Sequence, residues 1–259
     1  MLKAEITDFN IHCFDSLEST NKYCEALDLD KVEDFTCFWA MAQTAGIGQR
    51  GNHWHSTPGM NLTFSLVLKP HFLSAERQFR LTQVLSLALT DCLKSLEGIN
   101  GLMIDGEAAR PVIKWPNDIY IGRKKICGTL TSTRLNGILI DSAICGIGLN
   151  VNEVDFPSWV PNPTSLRLLT GHSYELPPLL HILLAQIRAR YDSLKQQEDP
   201  HAEYLDRLMN LGIPQHYIVN GEELEATIAG VDCYGRLLLD TTSDHRRLCC
   251  GMKEIKYCL

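Results

Sequence analysis

The chain has 259 residues, of which 45% are hydrophobic and 21% are charged, a composition that predicts a folded globular protein and excludes global disorder. Its formal net charge of −7 argues against non-specific binding to nucleic acid through a basic surface. No apolar run reaches the roughly 18 residues that a membrane helix needs, and the first residues lack an apolar signal core. We therefore expect a cytoplasmic protein without a membrane or nucleic-acid partner.

The N-terminal third predicts a short helix and two buried strands, at residues 22–27, 35–44 and 61–68. Ser19, Thr20 and Asn21 come directly before the helix. Hydroxyl and amide groups at a helix start usually act as caps, and taken alone these three residues have that role.

The middle of the chain predicts an amphipathic helix and a hairpin. Ser74 is placed to cap the helix, whose apolar stripe covers residues 81–96 at three- and four-residue spacing. Two β-rich runs, residues 126–133 and 138–149, flank Asn136-Gly137. This dipeptide predicts a type I′ turn, because both central residues of that turn need positive φ.

The last part of the chain changes character. A helix is predicted over residues 178–194, and a shorter helix follows Pro200. Beyond Tyr217 only short strands occur, separated by turn dipeptides such as Asn220-Gly221, which is typical of a small β barrel or sandwich. We therefore expect two domains, residues 1–210 and residues 211–259.

Ten cysteines are scattered along the chain, and none forms a Cys-x-x-Cys pair. This spacing favours reduced cysteines that pack as small hydrophobic side chains over a disulfide framework or a zinc site. Cys249 and Cys250 are neighbours in a predicted strand and should point to opposite faces. His53 and His55 have no third ligand nearby, so we predict no metal site built on side chains.

A glycine-rich loop lies between the first two predicted strands. Gly46, Gly48 and Gly51 have the spacing of a dinucleotide-binding loop, but Pro58-Gly59 follows where a helix should begin. The loop also lacks the Gly-Lys-Ser/Thr of a phosphate loop. Its N–H groups can still wrap an anion, with Arg50 adding charge. A flexible surface loop is the alternative, and the spacing does not decide between the two.

The strongest pattern is the Lys-Trp-Pro-Asn-Asp run at residues 114–118, followed by Lys125 and Gly128. Proline stiffens this turn, and Lys125 is a flexible point charge suited to a carboxylate or phosphate oxygen. An ordinary Lys–Asp surface pair is the alternative. Further on, Gly146 and Gly148 occupy alternate strand positions, where a backbone or a ligand can approach closely, although a strand that ends in a bulge explains them too.

Taken in order, these motifs resemble the biotin protein ligase family, biotin–[acetyl-CoA-carboxylase] ligase. The resemblance covers residues 16–168 and, more weakly, the C-terminal strands, and residues 146–152 and 163–166 support it. It implies an α+β fold with two domains. One is a catalytic domain related to class II aminoacyl-tRNA synthetases, in which helices back a mixed sheet, and the other is a small SH3-like β barrel. The chain starts at the catalytic domain, so the DNA-binding role of some members is not expected.

The resemblance also implies the reaction. Biotin and ATP would form biotinyl-AMP and pyrophosphate, with Mg²⁺ balancing the phosphates, and the biotinyl group would pass to a lysine of a biotin carboxyl carrier domain. A closed glycine loop would keep water from the reactive anhydride. A homodimer through an exposed sheet edge is compatible with the pattern, but the sequence does not specify one.

Residue by residue, the family pattern implies two groups of ligand contacts. The biotin side would comprise Ser19, Thr20, Asn21, Gln43, Gly46, Ile47, Gly48, Gln49, Lys125 and Gly128. The ATP side would comprise Arg50, Trp54, Lys114, Asn117, Asp118 and Asn150. Lys125, Asp118 and Arg50 would be catalytic: Lys125 would meet the biotin carboxylate and the phosphate, and Asp118 would either orient Lys125 or assist at the acceptor amine.

One departure from the family pattern concerns charge. Many members carry arginine at the second or fourth position of the glycine loop, where this chain has Ile47 and Gln49. The lower charge predicts a weaker grip on biotinyl-AMP. Two other functions stay open: a lipoate or octanoyl ligase or transferase of the same fold, whose glycine-histidine loop signature is missing from this sequence, and a non-catalytic biotin-binding module.

Overall fold

The computed structural model describes residues 9–258, which form two main sheets with helices around the larger one. The helices are α1 (Thr20–Glu25), α2 (Phe79–Ser95), α3 (Leu166–Thr170), α4 (Leu176–Lys195) and α5 (His201–Asp206). None of the helices within residues 9–258 combines the length and the apolar character needed to cross a membrane.

The larger sheet contains seven strands. Their spatial order is β1 (Ile11–Phe14), β2 (Thr36–Ala40), β3 (Leu62–Leu68), β9 (Leu139–Leu149), β8 (Lys124–Asn136), β7 (Asp118–Ile121) and β6 (Pro111–Lys114). Strands β1 and β2 run parallel, and every other neighbouring pair is antiparallel. A separate two-stranded ribbon joins β4 (Met103–Ile104) to β5 (Glu107–Ala108). The predicted α+β class, with a mixed sheet, is confirmed.

The two faces of this sheet have different chemistry, which follows from the alternation of side chains along a strand. On β3, Leu62, Phe64 and Leu66 are fully buried in the core that also contains the leucines of α2 and α4. The intervening Thr63 and Ser65 are also buried, and Ser65 contacts α1. The apolar face therefore packs on the long helices, and the polar face is left to α1 and the loops.

The second sheet has five antiparallel strands. Their order is β13 (Arg247–Cys250), β12 (Leu237–Thr241), β11 (Glu222–Val231), β10 (Pro214–Val219) and β14 (Ile255–Tyr257). It begins shortly after the boundary predicted at residues 210–211. The indole Nε1 of Trp115 donates a hydrogen bond to the carbonyl of Gly235 in the turn before β12, at 2.9 Å, and so links the two sheets.

Several boundaries differ from the sequence predictions. Helix α1 begins at Thr20, so Thr20 and Asn21 lie inside it, and Ser19 makes no side-chain cap. Ser74 precedes a single 3-10 turn over Ala75–Arg77 and makes no side-chain cap either. Strand β2 ends at Ala40, earlier than predicted. In each case tertiary contacts, which propensity does not include, set the element's end.

The β8–β9 hairpin is confirmed, but its turn is shifted by one residue. Asn136 pairs with Leu139, so the two turn residues are Gly137 and Ile138, and of these only Gly137 has positive φ. The predicted type I′ turn at Asn136-Gly137 is therefore wrong. An irregularity between Arg134 and Leu135 moves the register, which changes the residues at the tip.

All ten cysteines are free. Cys249 is exposed and Cys250 is buried, as expected for neighbours on a strand. Burial raises the pKa of the Cys24 thiol to about 12, and it also raises the pKa of Cys127 and Cys145, which keeps these side chains neutral and inert.

Candidate functional site

A cavity of about 620 Å³ lies against the polar face of the seven-stranded sheet. Most residues predicted for a site line it: Ser19, Thr20, Asn21, Gln43, Ile47, Gly48, Gln49, Trp54, Lys114, Asp118, Lys125, Gly128 and Asn150. Gly46 and Asn117 contact residues of this lining. The side chain of Arg50 lies outside the described part of the structure. The four sequence motifs, which are far apart along the chain, therefore meet around one cavity.

Three residues at the floor of the cavity are glycines. No larger residue fits there, because the side chains of Trp54 and Asn21 lie directly on the backbone. A Cβ on Gly148 would be 2.3 Å from Cε2 of Trp54, and one on Gly146 would be 2.1 Å from Oδ1 of Asn21. A Cβ on Gly128 would be 2.9 Å from the Trp54 ring. Strand β9 pairs with β3 without a register shift along this stretch, so a bulge does not explain Gly146 and Gly148.

One end of the cavity carries neutral hydrogen-bonding groups. The side-chain Oε1 of Gln43 accepts from the backbone N–H of Thr20 at 2.8 Å and lies 3.2 Å from its hydroxyl. Ser65 lies beneath, within 2.8 Å of the Thr20 hydroxyl and 2.5 Å of Asn21 Oδ1. Ser19, Thr20 and Asn21 are thus cavity groups and not helix caps.

Sequence reasoning missed Ser65. The available signal was a hydroxyl at the central position of the Leu-Thr-Phe-Ser-Leu-Val-Leu strand, where every neighbour is either apolar or Thr63. A buried polar side chain in a strand needs a partner, so it points to a polar partner on the same face.

The other end of the cavity is cationic. Lys125 Nζ lies 2.8 Å from Asp118 Oδ1, with about a quarter of each side chain exposed, and 5.6 Å from the centre of the Trp54 ring. The backbone of Lys125 is fixed on both sides, since its N–H donates to Asn162 and its carbonyl accepts from Thr164. The ammonium group therefore stands at a defined place, with one carboxylate partner and room for a second anion.

Lys114 lies between two aromatic rings. Its Nζ is 5.3 Å from the centre of Tyr120 and 4.8 Å from the centre of Tyr257. Burial raises the pKa of both phenols, which keeps them neutral beside the ammonium. Tyr257 belongs to the five-stranded sheet. Ile255 and Lys256 of the same strand and Met252 in the turn before it also line the cavity. The sequence analysis did not assign any residue of this sheet to the site.

The glycine loop folds back onto the sheet through neutral contacts. Nε2 of Gln49 donates to Asn117 Oδ1 at 2.6 Å and reaches the carbonyl of Thr129 at 3.3 Å. Asn117 Nδ2 donates to the same carbonyl at 3.1 Å. Within the loop, the backbone N–H of Trp54 donates to the carbonyl of Gly46 at 2.9 Å. The loop is thereby tied to the turn that carries Asn117.

The remaining polar residues near the cavity hold its walls. Asn150 Nδ2 donates to the carbonyl of Thr164 at 2.9 Å, and Glu153, which is buried, accepts from the backbone of Thr57 at 2.9 Å. His55 lies 3.8 Å from Glu153 and packs edge-on against Trp159. Among the described residues, no three His, Cys, Asp or Glu side chains are grouped so as to hold a metal ion.

The arrangement suits a ligand with a neutral polar group at one end and an acid at the other. The Trp54 ring and the glycines beneath it also line the cavity. Because the cationic end combines Lys125 with Lys114, it suits a carboxylate and a phosphate together.

Comparison with known proteins supports this description. Residues 13–150 match the model of the biotin/lipoate A/B protein ligase family. The chain is 32% identical over 210 residues to biotin–[acetyl-CoA-carboxylase] ligase of Paracoccus denitrificans, which covers 78% of this chain and 83% of that protein. It is 29% identical over 254 residues to the bifunctional ligase/repressor BirA of Bacillus subtilis, covering 95% of this chain and 74% of that protein.

Among solved structures, the chain is similar to biotin protein ligase from Aquifex aeolicus in complex with biotin and ATP. The TM-score is 0.77 at 24% identity, over 96% of this chain and 99% of that one. At this level of identity the likeness concerns the fold.

The close packing of Trp54 on β9 leads to a test of the cavity floor. In Gly148→Ala the new methyl collides with the indole ring, and overpacking of this kind costs about 1–3 kcal/mol. We therefore expect the Trp54 amide to exchange with deuterium at least about tenfold faster. Gly251→Ala is the control, because the φ of Gly251 is not positive and the atom nearest its new methyl, Glu254 Oε2, is 3.4 Å away, an ordinary contact distance. Unchanged protection of residues 46–54 in Gly148→Ala would contradict the packing described above.

Proposed function

This chain belongs to the biotin/lipoate A/B protein ligase family, and from that premise we infer that it activates biotin with ATP and transfers it to a lysine of an acceptor protein. In the first step the biotin carboxylate attacks the α-phosphorus of ATP, which gives biotinyl-AMP and releases pyrophosphate. In the second step the acceptor amine attacks the carbonyl of this mixed anhydride, and AMP leaves.

The single observation that carries this proposal is the polarity of the cavity along its length. Biotin has a neutral ureido ring at one end and a carboxylate at the other. The cavity has hydroxyl and amide groups of Thr20, Asn21 and Gln43 at one end and Lys125 at the other. Lipoate and octanoate also end in a carboxylate, but they have no ureido group to use these hydrogen-bonding groups.

In this proposal the protein contributes position and charge. Lys125 would neutralise first the biotin carboxylate and then the phosphate of the adenylate, since a preorganised cation stabilises the charge that develops in such a transfer. Asp118, 2.8 Å away, would orient Lys125. Trp54, Lys114, Asn117 and Asn150 are proposed for the nucleotide side, as is Arg50.

We propose that Mg²⁺ binds together with the nucleotide, mainly to its phosphate oxygens. Asp118 is the one carboxylate among the described residues that line the cavity. This composition fits an ion held by phosphate oxygens and water with at most one protein ligand, which is a common arrangement for Mg²⁺. When bound, the ion would offset the charge of the phosphates.

Further parts of the proposal concern organisation and partners. We propose that residues 1–210 form the catalytic domain and residues 211–259 an SH3-like domain whose residues Lys256 and Tyr257 take part in the site. The acceptor would be a biotin carboxyl carrier domain, and the protein would act in the cytoplasm. Association into a homodimer is compatible with this scheme.

The proposed reaction is tested by offering the protein ATP with biotin, lipoate or octanoate in turn and measuring pyrophosphate release. We expect release with biotin and none above background with the other two acids, because only biotin pairs with the neutral end of the cavity. Adding a carrier domain should then give biotinylated protein and AMP. Release driven by lipoate or octanoate in place of biotin would assign the chain to the other branch of the family, and binding without any release would make it a non-catalytic biotin module.

Removal of the Lys125 charge tests its proposed role. Lys125→Ala should lower the rate of biotin-dependent pyrophosphate release by about a hundredfold or more, as loss of one preorganised group at a developing charge commonly does. Lys124→Ala is the matched control, because this neighbouring lysine is exposed and is not among the residues described in the lining. An undiminished rate in Lys125→Ala would remove Lys125 from the mechanism.

The glycine loop provides a test of how the adenylate is retained. Gln49 makes only neutral contacts, whereas an arginine there would add a charge-assisted hydrogen bond. Gln49→Arg should slow the dissociation of biotinyl-AMP by about tenfold, the size of one such bond. Gln49→Met, which removes the amide without adding charge, should not slow it. The idea fails if biotinyl-AMP leaves Gln49→Arg and the unmodified protein at the same rate.

A further inference from the structure

Ser65 lies directly beneath the neutral end of the cavity. It is fully buried on β3, in the middle of the seven-stranded sheet, and is not among the residues that line the cavity. Its hydroxyl lies 2.8 Å from the hydroxyl of Thr20 and 2.5 Å from Asn21 Oδ1. A third contact, 3.2 Å long, joins the Thr20 hydroxyl to Gln43 Oε1. These four side chains form one row: Gln43, Thr20, Ser65 and Asn21.

The two amide groups at the ends of this row have fixed orientations. Gln43 must present its oxygen, because the same atom accepts from the backbone N–H of Thr20 at 2.8 Å. Asn21 must also present its oxygen, because its nitrogen donates to the carbonyl of Leu130 at 3.3 Å. Both ends of the row are therefore acceptors.

The number of protons in the row does not match the number of contacts. Three oxygen–oxygen contacts are present, but only the hydroxyls of Thr20 and Ser65 can donate, and each has one proton. If Ser65 donates to Asn21, Thr20 can donate to Ser65 or to Gln43. If Ser65 donates to Thr20 instead, Asn21 Oδ1 has no donor from the row. One of the three contacts therefore has no proton, and the direction in which Ser65 donates determines whether it is the contact with Asn21.

A ureido group makes up this shortage. It has two N–H donors on either side of one carbonyl acceptor. With Ser65 donating to Thr20, the Thr20 hydroxyl is free to donate to the ureido carbonyl, while Asn21 Oδ1 and Gln43 Oε1 accept the two N–H groups. Both hydroxyl protons and both ureido N–H groups then have acceptors, and the oxygens of Thr20, Asn21 and Gln43 each have a donor. The contact between Ser65 and Asn21 Oδ1, which then has no proton, lengthens from 2.5 Å.

We propose that Ser65 is a positioning residue that redirects its hydroxyl proton from Asn21 to Thr20 when a ureido ligand binds, so that Thr20 becomes the donor to the ureido carbonyl. The inference rests on the proposed function, since it concerns the recognition of biotin at the same site. Ser65 does not touch the ligand and acts through Thr20 and Asn21. Gly146, which pairs with Ser65 on the neighbouring strand, leaves the space that Asn21 occupies, because a Cβ there would overlap the Asn21 side chain.

The test is a double-mutant cycle between the protein and the ligand carbonyl. Dissociation constants are measured for biotin and for 2-thiobiotin, in which the ureido oxygen is replaced by sulfur, a weak acceptor. In the unmodified protein the sulfur should weaken binding about tenfold, the size of one hydrogen bond. In Ser65→Ala this penalty should shrink to less than about threefold, because Thr20 is no longer held as the donor. A purely structural role would leave the penalty the same in both proteins.

Two further measurements separate this effect from a general disturbance. Ser86→Ala is the matched control, because Ser86 is a buried serine of α2 whose hydroxyl has no partner among the described residues, and it should retain the full penalty. The KM for ATP should stay unchanged in Ser65→Ala. If Ser65→Ala does not fold, Ser65→Cys keeps the volume with a much weaker donor and should also reduce the penalty.

The outcomes distinguish the inference from the proposed function. Equal penalties in the unmodified protein and in the Ser65 variants, including no penalty in any of them, would overturn the role of Ser65 while biotin-dependent pyrophosphate release remained. Absence of both biotin binding and pyrophosphate release in the unmodified protein would instead overturn the proposed function itself.

Discussion

The site depends on direct contact between large side chains and a bare strand backbone. Trp54 lies on Gly148 and Gly128, and Asn21 lies on Gly146, at distances that no Cβ would allow. These glycines stand on the polar face of the sheet, whereas the opposite face is filled by leucines that pack on α2 and α4. One face of the sheet thus belongs to the close-packed core, and the other holds Trp54 and Asn21, whose side chains line the cavity.

The two ends of the cavity are built from different parts of the fold. The neutral end comes from α1 and Gln43, which precede the glycine loop, and from β3, which follows it closely. The cationic end comes from the start of β7 and the start of β8, which carry Asp118 and Lys125. Biotin would reach from one end of the cavity to the other. The register of the strands between the two ends sets the distance that it must cover.

The five-stranded sheet takes part in the site in two ways. Tyr257 packs on Lys114, and the turn at Gly235 accepts the indole hydrogen bond of Trp115. Both contacts are made with the Lys-Trp-Pro-Asn-Asp run. The small sheet therefore supports the turn that presents Asn117 and Asp118, and its own position affects the geometry of the cationic end.

Periodicity and turn residues in the sequence predicted the hairpin of β8 and β9 and the long helices. The family resemblance carried by the spaced motifs implied the α+β class and most of the site residues named from it, which line the cavity, although other lining residues were not predicted. Only the tertiary structure decided which role the polar residues have. The sequence predicted Thr20 and Asn21 as helix caps, since capping is the usual reason for such residues at a helix start. In the structure both side chains contact Ser65 of strand β3. The contributions of Ser65 and Tyr257 were equally hidden, because a contact between residues more than forty positions apart leaves no local pattern.

The turn at Gly137 shifted for a related reason: strand register is set by pairing along the whole hairpin, and two residues at its tip do not contain that information.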